Sequence, residues 1–172
     1  MKTWKLAAIF MALVSVLTLS SCGSDDEPRS VVNTQWEKIF TPDEIADGDN
    51  AKGNFLRDID WDNLPVTGAS IKLDFISKTQ ATFTERIVLG EKYFSQIKYI
   101  LPFNYNATTG AVMLKFSDRE SLVIEHNLPD GEEIEFAQFV NSLGQVDWDK
   151  NTLSLTLVDA ETYTLPVVLT KK

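Results

Sequence analysis

Asp58, Asp60 and Asp62 are the residues whose types and spacing come closest to a metal-binding pattern. Carboxylates at alternate positions form the first half of an acidic calcium loop. An EF-hand is excluded, because Asn63 stands where the turn needs glycine and Ala69 where a bidentate glutamate belongs. Two interpretations stay open, namely a looser oxygen cage for Ca²⁺ and a solvated loop with capping aspartates.

His126 is the only histidine in the chain, and it follows a predicted strand in a turn sequence. A serine triad would require it beside Ser121 or another serine, with a carboxylate to orient the ring. The sequence contains no glycine pattern of a nucleophile elbow, and a single imidazole without a thiolate partner is a poor zinc site. We therefore predict no enzymatic activity, with a hydrolase built on His126 as the alternative.

A short apolar segment precedes Cys22, the only cysteine of the chain. Lys2 and Lys5 introduce an apolar run of 14 residues, 6–19. This run is shorter than the roughly 20 residues of a spanning helix, and it is typical of an export signal. The following Leu19-Ser20-Ser21-Cys22 resembles the lipobox of bacterial lipoproteins. The resemblance implies that residues 1–21 are a signal peptide and that Cys22 is lipidated, which anchors the chain to a membrane.

The segment after Cys22 is acidic and has no apolar residue over 23–28. Such a composition predicts a flexible tether, which we place at 22–30. Its acidic residues also resemble the surface-export tag of lipoproteins from Bacteroidota. This resemblance implies an outer-membrane lipoprotein displayed on the cell surface, and the periplasmic face is the alternative.

The composition excludes one class of partner. The full chain has a net charge of −9, and without residues 1–21, which hold two lysines and no acid, the charge is −11 over 151 residues. A surface this acidic repels phosphate backbones, so nucleic acid is not an expected partner. The length predicts a single domain, 31–172, large enough to bury a core.

Most of this domain alternates between apolar and polar residues, as half-buried antiparallel strands do. The longest such segment is 92–105, and a turn over 106–110 returns it into the next strand. The alternation predicts strands at 34–40, 69–76, 79–89, 92–105, 112–116, 122–124, 146–148, 153–157 and 163–169.

Two segments break this pattern. Thr41-Pro42-Asp43-Glu44 has proline where a helix would begin, and it predicts one helical turn ending by Gly48. In 131–143, apolar residues recur at helical spacing after a capping Asp130, and Gly144 follows as a stop, which together predict a helix. The alternative for this second segment is a strand with Gln138 facing the core.

Successive hairpins with short turns predict a mainly β fold, an antiparallel up-and-down barrel with one helix near 131–143. Thr34-Gln35-Trp36-Glu37 opens the first strand, and the hairpin 103–114 lies in the middle of the chain. On these residues the chain resembles the lipocalin-like (calycin-type) lipoproteins of Bacteroidota. The resemblance implies a β-barrel, and a β-sandwich is the alternative architecture.

The aromatic residues are the candidates for ligand contact. A barrel of about eight strands either fills itself with side chains or holds one small ligand. We therefore predict a binding module for a small apolar or glycan ligand, and the alternative is a structural or interaction module that binds an envelope protein. The predicted ligand-binding residues are Tyr93, Tyr99, Phe103, Tyr105, Trp148 and Tyr163.

Overall fold

The computed structural model describes residues 29–46, 64–129, 134, 136–160 and 164–172. Cys22, the leader 1–21 and the aspartates of the predicted calcium loop lie outside these residues, as does Tyr163. The described helical segments are α1 (Pro42–Ala46) and one turn of 3₁₀-helix (Phe116–Asp118). The described strands are β1 (Gln35–Ile39), β2 (Val66–Phe75), β3 (Gln80–Leu89), β4 (Tyr93–Tyr105), β5 (Ala111–Leu114), β6 (Ser121–His126), β7 (Ser142–Asp147), β8 (Thr152–Val158) and β9 (Thr164–Lys171).

The strands form one antiparallel sheet that closes on itself. Its order is β3-β2-β1-β9-β8-β7-β5-β4-β6, and an additional pairing of β3 with β4 completes a ring of eight strands. Strands that follow each other in sequence are neighbours in this ring, except where β6 is skipped. The predicted mainly β, up-and-down barrel is therefore confirmed, and β6 is an additional strand outside the ring.

The split of the sheet at β4 explains the position of β6. One edge of β4 pairs with β3 along most of its length. The other edge pairs with β5 through 103–105 and with β6 through 95–100. Because β5 then pairs with β7, β6 has no second partner among the described strands. Leu122 and Ile124 of β6 remain about half exposed as a result, at 49% and 54%.

The core follows the period of two that defines a pleated strand. On β8, leucines at every second position are buried, and the threonines and serine between them face outward. On β9, Leu165, Val167 and Leu169 are buried in the same way. The interior of the ring is therefore built from alternate side chains of every strand around it.

Helix α1 confirms the predicted helical turn, and its first turn carries a capping box. The Glu44 amide donates to Thr41 Oγ1 at 3.3 Å, and the Thr41 amide donates to Glu44 Oε2 at 2.9 Å. Lys38 Nζ also donates to both Glu44 oxygens, at 2.9 and 2.8 Å. These contacts connect α1 to the end of β1.

The helix predicted over 131–143 is wrong for the described residues of that segment. Phe139 forms an isolated bridge with Asp159, and β7 has begun by Ser142. The strand alternative is wrong too, because Gln138 is exposed and Phe139 is buried. The end of this segment joins the sheet despite its helical spacing, because β7 lies between β5 and β8 and forms backbone hydrogen bonds with both.

Gly144, predicted as a helix stop, lies inside β7 against β8. A Cβ atom there would lie 2.7 Å from the Ser154 carbonyl oxygen and closer still to Leu155 Cδ2. We expect Gly144→Ala to lower the free energy of unfolding by about 1–3 kcal/mol, because neither the paired backbone nor the packed leucine can move freely. Denaturant unfolding followed by tryptophan fluorescence measures this change.

Gly68→Ala is the matched control, since a Cβ atom at this position of β2 meets Val88 at an ordinary 3.5 Å. We expect this second variant to stay within about 0.5 kcal/mol of the natural protein. Equal losses in the two variants would contradict the close approach of β7 and β8.

Candidate functional site

The predicted ligand-binding residues on β4 do not form one site. Tyr93 and Tyr105 stand at opposite ends of the strand, roughly 40 Å apart along its length at about 3.3 Å per residue. Both are half-buried, whereas Tyr99 and Phe103 between them are buried in the barrel. The predicted set is therefore divided along the barrel.

Three of the predicted residues close one end of the barrel. Trp148 Nε1 donates to the Tyr105 hydroxyl at 3.1 Å, and that hydroxyl donates to the Arg29 carbonyl oxygen at 2.9 Å. The Trp148 ring lies edge-on to Trp36 with centroids 5.8 Å apart. Phe103 meets Phe75 in the same manner at 4.7 Å. These contacts give the three side chains a packing role at this end.

A carboxylate in the middle of the barrel, Glu85, was missed by the sequence analysis. It lies on the inner face of β3, at the position where the alternation of Phe83 and Ile87 calls for an apolar side chain. Its relative exposure is 0%, and neither carboxylate oxygen has a hydrogen-bond partner within the described structure. The sequence does mark this residue, because a charged side chain is rare at the inward-facing positions of an alternating strand unless it is paired.

Aromatic rings surround this part of the interior. Phe83 neighbours Glu85 on the inner face of β3 and pairs in register with Tyr99 of β4. The Phe83 ring lies 4.9 Å from Phe116, 5.9 Å from Phe139 and 6.3 Å from Tyr99, measured between centroids. Phe139 lies in the segment predicted to be helical, and its backbone forms an isolated bridge with Asp159. We call these four rings the aromatic cluster.

Burial changes the acidity of the two ionisable groups in this region. Removal from water raises the pKa of Glu85 well above its usual value, and the negative charge of Asp159 raises it further. Burial also raises the pKa of Tyr99, as does Glu85, while the nearby Arg119 lowers it. The Glu85 carboxyl therefore keeps its proton to a higher pH than a surface glutamate.

A buried carboxyl in this state has two uses. Protonated, it offers one O–H donor and one carbonyl acceptor, and ionised it is the counterion for a cation. Either form leaves hydrogen-bonding capacity that no described residue satisfies. The site thus offers one polar group among apolar rings.

No family model matches this chain, and no curated protein or solved structure matches it.

The remaining candidates for chemistry are separate from Glu85. His126 is exposed at the end of β6, and Ser121 begins that strand, about 17 Å away along the backbone. Among the described residues, no group of three or more His, Cys, Asp and Glu side chains is arranged to hold a metal ion. The described part of the chain also contains no helix long and apolar enough to cross a membrane.

Proposed function

We propose that the protein is a lipid-anchored binding module of the cell envelope, whose barrel holds one small, mainly apolar ligand against Glu85. The observation that carries this proposal is the fully buried carboxyl group of Glu85, for which no residue in the described part of the chain is a hydrogen-bond partner. An unsatisfied buried polar group costs about 1–3 kcal/mol of stability. Such costs are typical of functional sites, where a ligand supplies the missing partner.

The surroundings of Glu85 favour an apolar ligand over a glycan. A sugar presents many hydroxyl groups, each of which needs a hydrogen-bond partner once it is buried. The aromatic cluster supplies hydrophobic contact area and only one hydroxyl group, that of Tyr99. A ligand with one polar group and an apolar remainder matches this distribution.

Native mass spectrometry of the full chain, isolated from cells that produce it, tests this binding. We expect the natural protein to retain a small molecule that Glu85→Met loses, because the thioether has no O–H donor and is only a weak acceptor. Glu91→Gln changes an exposed glutamate in the turn before β4 and should leave the retained molecule in place. Identical spectra for all three proteins would contradict the proposal.

The proposed anchor agrees with the contacts of Arg29, the first residue that the structure describes. The Arg29 carbonyl oxygen accepts a hydrogen bond from Tyr105, and the Arg29 guanidinium lies 3.5 Å from Asp149. Six residues separate Arg29 from Cys22, and the seven steps between their Cα atoms reach at most about 25 Å. In this proposal the end of the barrel containing Trp148 is tethered close to the membrane, on the cell surface.

Lipidation is tested by incorporation of labelled palmitate in producing cells. We expect label in the natural chain and none in Cys22→Ser, with the variant released from the membrane fraction, because acyl chains supply the membrane affinity. Digestion of intact cells with an added protease then tests surface display. Unlabelled natural protein would contradict the anchor, and protection from the protease would favour the periplasmic face.

A second candidate function is supported by β6. Leu122, Val123 and Ile124 are each about half exposed, on a strand whose second edge is unpaired among the described residues. Exposed strand edges are sites where another chain adds a strand. This surface favours an interaction module that binds an envelope protein.

Photo-crosslinking in intact cells tests this second candidate. A photoreactive residue at Val123 should give a discrete cross-linked species, and the same residue at Thr156, exposed on β8, should not. Equal products at both positions, or none, would contradict an interaction through β6.

A further inference from the structure

The open edge of β6 has backbone groups whose direction the neighbouring strand determines. The Asn127 amide donates to the Phe94 carbonyl oxygen at 3.2 Å, so the backbone groups of Asn127 point toward β4. Along an antiparallel pair this direction alternates from one residue to the next. The N–H and C=O groups that point toward the open edge are therefore those of Leu122, Ile124 and His126.

This edge lacks common features that prevent a sheet from pairing with another chain. Lysine or proline on the edge strand and a bulge in its pairing are such features. Ser121–His126 contains neither lysine nor proline, and its pairing with β4 has no register shift. Leu122, Val123 and Ile124 are 49%, 46% and 54% exposed, and successive side chains point to opposite faces of the strand. An added strand would therefore cover apolar side chains on both faces.

The carboxylates at this edge give it a negative charge. Glu125 lies on β6, Glu120 directly precedes the strand at Ser121, and both side chains are exposed. The Gln96 amide donates to Glu125 at 3.3 Å, and the Gln80 amide donates to Glu120 at 2.9 Å. These contacts are with uncharged groups, so they leave the charge of each carboxylate in place.

Two basic side chains of this region lie at β4, one strand inward from the open edge. Lys98 is on β4, in register with Val123. The Arg119 guanidinium lies over the Tyr99 ring of β4, 5.5 Å from its centre. A strand added to β6 would lie beside the carboxylate of Glu125 and one strand spacing, about 4.8 Å, further from Lys98.

We infer that the chain paired by β6 is an extended segment of another protein, with basic residues beside apolar ones, and this inference rests on the second candidate function. Opposite charges on paired strands attract, and like charges directly opposite each other are destabilising. A second copy of this chain is disfavoured, because each copy has a net charge of −9. The partner's apolar residues cover Leu122, Val123 and Ile124, and its basic residues face Glu120 and Glu125.

Two peptides test the charge preference. Both alternate valine and threonine over the length of β6, and one has lysines at its ends where the other has glutamates. Fluorescence anisotropy measures the binding of each labelled peptide to the full chain in nonionic detergent. We expect the lysine peptide to bind about tenfold more tightly, because the carboxylates at the edge meet opposite charges in one peptide and like charges in the other. Added salt should reduce this difference, since both carboxylates are exposed.

A charge reversal on β6 tests which residue sets the preference. Glu125→Lys should abolish or reverse the preference for the lysine peptide. Glu91→Lys is the matched control, because it changes an exposed glutamate in the turn before β4, and it should preserve the preference.

A change in one backbone group tests where the peptides bind. Ile124→Pro removes an N–H that points toward the open edge and leaves those that point toward β4 in place. This variant should bind both peptides about tenfold more weakly, through loss of a hydrogen bond and of the extended edge. Ile124→Thr keeps the N–H and a β-branched side chain, and it should bind both peptides nearly as the natural chain does. Circular dichroism measures the folding of each variant.

The outcomes separate the inference from the second candidate function. Equal affinity for the two peptides, lost in Ile124→Pro, would overturn the basic partner and leave an interaction through β6 intact. Binding that persists in a folded Ile124→Pro would overturn the inference, as would a preference unchanged in Glu125→Lys even where the proline variant does not fold. Failure of both peptides to bind would also overturn it, while cross-linking at Val123 decides the second candidate function separately. A cross-linked species of twice the chain mass would assign the edge to a second copy and overturn the inference.

Discussion

Replacing Trp36 by alanine is expected to lower the free energy of unfolding by about 3–5 kcal/mol, the range for removal of a buried tryptophan. Trp36 is 0% exposed, its ring packs on Trp148, and its Nε1 donates to Thr34 Oγ1 at 2.8 Å. It also lies at the seam where β1 closes onto β9, in register with Lys171. Denaturant unfolding followed by circular dichroism measures the loss, because the substitution removes part of the fluorescence signal.

Ile39→Ala is the matched control on the same strand. Ile39 is 62% exposed, so its truncation should change the free energy of unfolding by no more than about 0.5 kcal/mol. Trp36→Phe should fall between the two, since it keeps a ring but loses volume and the hydrogen bond to Thr34. Equal losses for Trp36→Ala and Ile39→Ala would contradict the placement of Trp36 at the closing seam.

The alternation of apolar residues was sufficient to predict the barrel. On β8 the buried residues Leu153, Leu155 and Leu157 are those that alternation assigns to one face. On β4 it correctly placed Tyr99 and Phe103 inside. Apolar and polar residues alternate in the sequence because each strand has one face on the core and the other toward solvent.

The segment 136–145 could not be predicted in this way. Phe136, Phe139 and Val140 have helical spacing, but Phe139 is the residue that enters the barrel and β7 follows directly. The decisive contacts are with β5 and β8, distant in sequence, and local spacing carries no information about them. Propensity is a weak prior when pairing on both edges is available.

The position of β6 was beyond sequence analysis for a different reason. Leu122, Val123 and Ile124 are consecutive apolar residues, so neither face of the strand is marked as the inner one. Whether β5 pairs with β6 or with β7 is decided by the whole ring. Continuous apolar runs specify burial but not register.

The described members of the predicted ligand-binding set are divided along the barrel, because aromatic content alone does not distinguish packing from recognition. Tyr105 and Trp148 satisfy their polar atoms with each other and with Arg29, so they need no ligand. Glu85 has the opposite property, since its polar atoms have no partner in the described residues. A polar residue in an apolar register is therefore the sequence feature that marks the proposed site.

Glu85→Met is expected to raise the free energy of unfolding at neutral pH by about 1–3 kcal/mol. The substitution replaces a buried carboxyl that no described residue satisfies by an apolar side chain of similar length, which removes the cost of burying that polar group. Neighbouring Phe83 and Ile87 supply the apolar surroundings for the methionine. Denaturant unfolding of the natural chain and the variant without added ligand measures the difference.

The gain should grow with pH, and this dependence identifies its cause. The native carboxyl holds its proton at pH values where the unfolded chain, with an ordinary glutamate pKa of about 4.3, has already lost it. Rising pH therefore favours the unfolded state of the natural chain by about 1.4 kcal/mol per unit, until the native pKa is reached. Glu85→Met and Glu85→Gln both lack this contribution, so the difference between natural chain and variant should widen from about pH 4 upward, whereas Glu91→Gln should follow the natural chain. A natural chain that is more stable than Glu85→Met throughout this range would mean that the carboxyl has a stabilising partner inside the barrel, and the site would then need no ligand.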